Sequence, residues 1–350
     1  MPYAAFIGWS LLLAAISWVK PRYSSACGVV LLISAILFAG LRGASNDYAE
    51  YVARYRAMAG SALPLPVRLY IGKDPWFGGL ILGVQWVGLR IQALFLVSAA
   101  LALGLKAKAF SRFFGTYATP LFVTICGTYF LHEYTQIRVA IALGFAFMGL
   151  VALCEDRRVI WALCSVLAIG FHISALAVVM CEFPFLVKLD RPSWLAAWGG
   201  GCFIVLIAAT NLMTFVSNII SRVDTYQSGA SATTNAQAVV CFKLAMVTLL
   251  AYLVLSGELE QTKRRLIKAC YFMEVMGSGL FFAFMHSAPG LGFRVMELLD
   301  GFSVFIISGA FMWTSELSWA VAFSYCVSMI ILVAVGDLMV PYKLTIHSLW

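Results

Sequence analysis

The chain consists of a succession of apolar runs, most of them long enough to cross the hydrocarbon core of a membrane. A transmembrane helix needs about 20 mostly apolar residues. With 62% hydrophobic and 11% charged residues and a mean hydropathy of +0.92, the composition excludes an ordinary water-soluble domain. The sequence therefore predicts an all-α polytopic membrane protein, with residues 1–350 forming a single integral membrane domain. The runs cover residues 3–19, 24–41, 76–104, 113–131, 139–154, 193–213, 238–256, 269–286, 293–313 and 317–338.

Basic residues between these runs set the expected orientation. Lys20 and Arg22 follow the first run, and positive charge concentrates on the cytoplasmic side, so we expect the N-terminus outside. The stretch 159–187 is too long for one comfortable helix and is interrupted at Gly170-Phe171-His172. If two short helices turn there, the basic cluster at 263–268 also falls on the cytoplasmic side. This interpretation predicts about 12 transmembrane helices, within about 10 to 14, some of them short or broken.

Two features of the apolar pattern bear on the outer face. The stretch 76–104 has two interpretations, either a break near Arg90 or one tilted helix with Arg90 facing the bundle interior. The two largest polar stretches, 42–75 and 214–237, are both expected to be periplasmic loops. An amphipathic helix at the membrane interface is predicted in the first of them by the i, i+3, i+4, i+7 spacing of Tyr48, Tyr51, Val52 and Tyr55.

Several function classes lose support from the sequence. The net charge of +8 comes from short loops and forms no basic stripe, so we expect no nucleic-acid partner. The nine cysteines have no metal-site spacing. There is no phosphate-binding glycine loop with lysine, no HExxH and no Gly-x-Ser-x-Gly. We therefore expect neither a cofactor nor a bound metal.

Arginines on the predicted outer face are the most informative charged residues. Arg42, Arg138, Arg222 and Arg294 lie at or beside helix ends on the side where positive charge is unusual. The planar guanidinium can bind two phosphate oxygens at once. Any one of them could instead be an interfacial arginine that extends to the lipid headgroups. Taken together, the set predicts a site for a multiply charged anion.

Two further residues are candidates for proton transfer. His172 lies at a helix break on the arginine side, and imidazole titrates near neutral pH, although a structural histidine is the alternative. Asp47 caps the interfacial helix, orients an arginine, or accepts a proton from a hydroxyl. His132-Glu133 and Gln136 share a short outer loop with Arg138, without a third ligand that would indicate a metal site.

The order and spacing of these motifs resemble those of the Wzy/EpsG-type membrane polymerases of bacterial surface polysaccharides. The resemblance extends from about residue 40 to about residue 300. This chain has Asp74-Pro75 where the family often has Glu-Pro, and Arg138-Val139-Ala140 where it often has Arg-Gln-x-Leu-Ala. The matching pieces are Gly40-Leu41-Arg42-x4-Asp47-Tyr48-x2-Tyr51, Lys73-Asp74-Pro75-Trp76-Phe77, Gln136-Ile137-Arg138-Val139-Ala140, Phe171-His172-x-Ser174-Ala175, Arg222-x3-Tyr226 and Arg294.

The resemblance implies a metal-independent glycosyltransferase in the bacterial inner membrane, with a GT-C-like bundle and a cavity facing the periplasm. It would transfer a growing glycan from undecaprenyl diphosphate to a hydroxyl of a new lipid-linked repeat unit. Diphosphate binding would fall to Arg138, Arg222 and Arg294, with Arg42 as a further candidate. His172 and Asp47 would act on the acceptor hydroxyl. Sugar contacts are expected from Tyr48, Tyr226, Glu133 and Gln136.

The expected partners are undecaprenyl-diphosphate-linked oligosaccharide and membrane lipids, with a chain-length regulator and a flippase of the same pathway as further candidates. The product would be O-antigen, capsule or exopolysaccharide. Three alternatives stay open at this point: an O-antigen ligase-like enzyme, a membrane O-acyltransferase that uses His172, and a transporter or flippase whose arginines bind headgroups.

Overall fold

A computed structural model describes residues 2–59, 64–217, 234–285 and 288–335 of the chain. The described residues form helices joined by short turns and contain no β-strand, which confirms the all-α prediction. The helices are α1 (Pro2–Val19), α2 (Ser24–Gly40), α3 (Tyr48–Ala59), α4 (Leu65–Ile71), α5 (Pro75–Trp86), α6 (Ile91–Phe114), α7 (Ala118–Gly127), α8 (Ile137–Cys154), α9 (Arg158–Phe171), α10 (Leu176–Leu186), α11 (Pro192–Ser217), α12 (Thr234–Ser256), α13 (Gln261–Phe284), α14 (Pro289–Asp300), α15 (Ser303–Trp313) and α16 (Glu316–Val335).

Within the described ranges, 8 segments are long and apolar enough to cross a membrane, so the protein is polytopic. Helices α7 and α9 are apolar but shorter than a full span, as is the segment Ile173–Leu186 that contains α10. The predicted total of about 12 spans stays a prediction. The long segments are Pro2–Val19, Pro21–Gly40, Ile91–Phe114, Ile137–Cys154, Ala236–Ser256, Gln261–Phe284, Pro289–Trp313 and Glu316–Ala334.

Three long apolar stretches are interrupted. The stretch 76–104 breaks between α5 and α6, where Gly88 has a φ of +80°, and Arg90 is exposed there and does not face the interior. The stretch 159–187 breaks at His172, followed by a 3₁₀ turn over Ile173–Ala175, as the two-helix interpretation predicts. The run 293–313, expected to be continuous, is interrupted between α14 and α15.

The chain divides into two compact units. The first contains residues Met1–Ala152, Arg157–Ala175 and Phe323–Trp350, and the second contains Leu153–Asp156 and Leu176–Ala322. Most of the predicted site residues, including Arg138 and His172, belong to the first unit, whereas Arg294 belongs to the second.

Aromatic packing and long-range hydrogen bonds hold the first unit together. The Phe6 ring of α1 stacks on the Phe38 ring of α2 with centroids 4.3 Å apart. The Tyr129 hydroxyl, just beyond α7, donates to the Ala35 carbonyl of α2 at 2.6 Å. Gln92 at the start of α6 donates to the backbone carbonyl of Arg42 at 3.0 Å. These contacts place the start of α6 beside the end of α2.

In the second unit, charged residues from three chain segments meet at one end. The Asp156 carboxylate lies 3.2 Å from a guanidinium nitrogen of Arg265 and 3.6 Å from the Lys188 ammonium nitrogen. The loop before α9, the end of α10 and the start of α13 are therefore neighbours. The side of the membrane on which their basic residues lie stays a prediction.

Candidate functional site

Asp74, immediately before α5, is the centre of a charged network in the first unit. Its carboxylate accepts a hydrogen bond from the guanidinium of Arg138, in the first turn of α8. The same oxygen, Oδ2, lies 3.6 Å from Nδ1 of His172, at the end of α9. Asp74 is buried, whereas Arg138 and His172 each keep part of their side chains exposed.

Local backbone geometry explains why these three side chains face one another. Asp74 occupies the N-cap position of α5, and Pro75 follows in the first turn. Its side chain makes no capping hydrogen bond to its own helix, which leaves the carboxylate to Arg138 and His172. Lys73, directly before it, has a φ of +70°, a conformation that few non-glycine residues adopt and that clusters at functional sites.

A close approach at Gly170 brings the start of α5 to the end of α9. An ideal Cβ at Gly170 would lie 1.5 Å from a ring atom of Trp76, so only glycine leaves room for the indole at this position. Trp76 is two residues from Asp74, and Gly170 is two residues from His172. This glycine is therefore a structural requirement for the pairing of Asp74 with His172.

Helix α3 adds Tyr51 to the network. The buried Tyr51 side chain lies near enough to Arg138 to interact with its charge. Burial raises the pKa of Tyr51; the Arg138 charge opposes this shift and the Asp47 charge adds to it. Asp47, directly before α3, therefore influences the network through Tyr51.

The Asp74 carboxylate is held in its charged form. Burial alone would raise its pKa, but the His172 imidazole and then the Arg138 guanidinium outweigh burial, so the pKa lies below the ordinary value of 3.8. An aspartate of this kind remains ionised at neutral pH and favours positive charge on its neighbours.

Arg42, a predicted diphosphate ligand, is fully buried. Its guanidinium carbon lies 4.4 Å from the centroid of the Phe95 ring and 5.2 Å from that of Tyr134, and one of its nitrogens donates to the Ala39 carbonyl. Burial lowers its pKa to about 10, and surrounding tyrosines, Tyr134 first, partly oppose this. This environment favours a packing role at the corner between α2 and α3 over contact with a substrate.

Glu133, a predicted sugar contact, is also fully buried and forms an ion pair with Lys106 of α6. It lies in a turn where Tyr134 and Gln136 donate to carbonyls five residues earlier, at 3.0 and 2.9 Å, as in a π-helix. The pairing favours a structural role for Glu133. Lys106 is itself buried, so both members of the pair lie inside the bundle.

The other predicted residues occupy different settings. Gln136 is partly exposed two residues before Arg138, and the Tyr48 ring stacks on Phe95 with centroids 5.1 Å apart. Arg294 is exposed on α14 of the second unit. Arg222 and Tyr226 lie outside the described residues. Across the part of the chain that the structure describes, no group of three or more His, Cys, Asp and Glu side chains is placed to hold a metal ion.

The structure therefore brings together two predicted residues, Arg138 and His172, with Tyr51 and Asp74, which were not predicted as site residues. Both of the latter belong to motifs visible in the sequence: Lys73-Asp74-Pro75 at a helix start, and Tyr51 in the interfacial pattern of α3. The signal was present. The sequence does not show that these motifs meet in the folded protein.

Fold and site together define a multi-pass membrane protein with an Asp–His–Arg cluster at the ends of its helices. The family model described as the EpsG family matches residues 25–344, and the chain belongs to that family. Membership indicates a polysaccharide polymerase type of function. No curated protein and no solved structure matches the chain.

Proposed function

We propose that this protein is a polysaccharide polymerase that uses lipid-diphosphate-linked sugars. It transfers a growing glycan from undecaprenyl diphosphate to a hydroxyl of a new lipid-linked repeat unit, at the periplasmic face of the bacterial inner membrane. The observation that carries the proposal is the Asp74 carboxylate shared by Arg138 and His172. EpsG family membership supports the substrate class.

His172 acts as the general base in this proposal. Asp74 faces Nδ1 of the imidazole, so it orients the ring and stabilises the imidazolium, and Nε2 accepts the proton of the acceptor hydroxyl. The acceptor oxygen bonds to the anomeric carbon of the growing chain as the bond from that carbon to the diphosphate oxygen breaks. The proton remains on His172 until product release. Asp47 acts at a distance, through Tyr51.

Arg138 stabilises the departing diphosphate. Its guanidinium is oriented by Asp74, and its buried Nε has no hydrogen-bond partner among the described residues. Positive groups aimed at the leaving group stabilise the charge that develops on it during bond cleavage. With an arginine in this role, the proposed mechanism uses no divalent cation.

Purified protein in detergent provides the direct test. Lipid-linked repeat units extracted from a strain that lacks this protein should be converted into a ladder of polymer. His172→Gln and Arg138→Ala should leave single units, with both variants purified as folded proteins. Normal ladders from both variants would remove the proposal. A transporter or flippase makes no polymer in detergent because its action needs two compartments.

An experiment in cells distinguishes the ligase alternative from a polymerase. Loss of a polymerase leaves single repeat units on the surface acceptor, whereas loss of a ligase removes all attached polysaccharide. We expect single units.

A further inference from the structure

A pocket of about 700 Å³ lies in the first unit, at the end of α5 opposite to Asp74. Its walls include Tyr55 of α3, Arg68 of α4, and Gln85 and Trp86 at the end of α5. The volume falls within the range of small-molecule binding sites. The reaction proposed above uses none of these residues.

The polar groups of this pocket are positioned by the protein, yet two of them remain unsatisfied. The Gln85 side-chain amide donates to the Tyr55 carbonyl at 2.7 Å, and the Tyr55 hydroxyl donates to the Leu89 carbonyl. Gln85 Oε1 and Arg68 Nε are buried and have no hydrogen-bond partner within the described ranges. An acceptor and a donor held in this way are suited to a ligand that carries several hydroxyl groups.

Trp86 adds an aromatic surface beside these polar groups. Trp86 is 90% exposed, so its indole is available at the mouth of the pocket. Sugar rings present C–H faces that pack on indole and hydroxyls that bond to amide and guanidinium groups, and an aromatic ring beside polar groups matches both.

The pocket and the Asp74 network lie at opposite ends of the same helix. Helix α5 has 12 residues, a length of about 18 Å at 1.5 Å per residue. Along α3 the two are closer: Tyr51 of the network and Tyr55 of the pocket are one helical turn apart, about 6 Å at 1.5 Å per residue. An oligosaccharide that occupies the pocket can therefore extend to the network.

We propose that this pocket is an oligosaccharide subsite, which binds sugars of a lipid-linked repeat unit away from the reacting bond and so sets the unit's register at Asp74. The inference rests on the proposed function for the identity of its ligand. It assigns to Trp86, Gln85 and Arg68 a role in substrate recognition and none in proton transfer.

Two glycines of α5 provide a matched pair of variants. A Cβ at Gly83 or at Gly79 would meet no atom within 4 Å, so a larger side chain fits at either position. Gly83 lines the pocket, whereas Gly79, one turn earlier on the same helix, does not. Gly83→Leu should fill the pocket without disturbing the fold, and Gly79→Leu is its control. Trp86→Ala, at an exposed position, is a second variant that tests the indole.

The binding probe is the oligosaccharide released from lipid-linked repeat units by mild acid, which carries no lipid diphosphate. We expect Gly83→Leu and Trp86→Ala of the full-length purified protein to bind it about tenfold more weakly than wild type, with Gly79→Leu within about twofold. With intact lipid-linked units, Gly83→Leu should raise KM about tenfold and change kcat by less than about twofold. Wild-type binding by both pocket variants would overturn the subsite.

The experiment separates failure of the subsite from failure of the proposed function. Arg138→Ala should lose polymer formation yet retain binding of the released oligosaccharide. If wild type makes no polymer but binds the probe and Gly83→Leu does not, the subsite stands and the polymerase proposal fails. If Gly83→Leu binds the probe normally but loses phospholipid that wild type retains through purification, the pocket holds a lipid headgroup and the subsite is overturned.

Discussion

Two of the ion pairs in the first unit differ in their access to solvent. The side chains of Lys106 and Glu133 are 1% and 0% exposed, and the pair lies between helices. In the second pair Arg138 is 15% exposed and Asp74 is 7%, and His172, 14% exposed, adjoins the same carboxylate. A closed pair can contribute only to the fold, whereas a partly open one at helix ends can also meet a substrate. Solvent access, and not charge itself, therefore separates a site from a structural element.

The largest expected effect comes from removing the charge at the open pair. Asp74→Asn keeps the size of the side chain but removes its charge. The amide does not hold Nδ1–H of His172 as a carboxylate does, and it does not stabilise the imidazolium. We expect polymer formation to fall by about 10³-fold or more, with the protein still folded. Activity near wild type, measured with lipid-linked repeat units, would place the proton transfer elsewhere.

Substitutions at the closed pair, Lys106 and Glu133, should change the free energy of unfolding. Lys106→Met leaves Glu133 buried without a counter-charge, and breaking a buried pair costs about 3–5 kcal/mol. The double variant Lys106→Met/Glu133→Leu should recover most of this loss, since it leaves neither charge unpaired. Denaturant unfolding in detergent measures the free energy of unfolding of the single and the double variant. Equal losses in the single and double variants would contradict a purely structural pair.

Geometry at the open pair can be disturbed without touching its charges. Gly170→Ala places a methyl group in the Trp76 ring, which must move together with the start of α5. A displacement of about 1 Å at a reacting group costs about 10²-fold in rate. Gly104→Ala in α6, where a Cβ meets nothing within 4 Å, is the control and should leave the polymerisation rate unchanged.

The pH dependence of stability should identify Asp74 as a charged partner. Because its pKa is lower in the folded protein, its contribution is fully present above the ordinary value of 3.8 and is lost as pH falls through the folded pKa below that value. The thermal stability difference between wild type and Asp74→Asn should therefore shrink as the pH falls below about 4. A difference that grows below about pH 4 would contradict the sign of this linkage.

The smallest effect is expected at a surface ion pair. Glu50 of α3 accepts hydrogen bonds from Arg54 and, at 3.0 Å, from Lys73. Although partial burial acts to raise its pKa, Lys73 and Arg54 lower it to about 2. The carboxylate is about half exposed, so Glu50→Gln should change the free energy of unfolding by less than about 1 kcal/mol and leave polymer formation unaltered. A large loss of activity would extend the site to Glu50.

Prediction from sequence succeeded where local composition decides the outcome. The break at His172 follows from a glycine and a polar residue inside an apolar run, and it is present. For 76–104 the sequence left two interpretations open, and the structure has the break. The burial of Lys106 could not be predicted in this way, because a hydropathy argument treats each charge singly and does not detect a carboxylate 27 residues away. Asp74 was visible as a helix-start residue. Its importance comes from partners 64 and about 100 positions further along the chain.

Sequence by itself determined that this chain is a helical membrane protein, which motifs it carries and to which family it belongs, because apolar run length and short motifs are local properties. Only the tertiary structure decided which charges are enclosed and which are open. It enclosed Arg42 among aromatic rings and Glu133 against Lys106, and it left Arg138 and His172 at a shared carboxylate. The physical reason is that burial and pairing depend on helices distant in sequence packing together, and no local pattern encodes that contact.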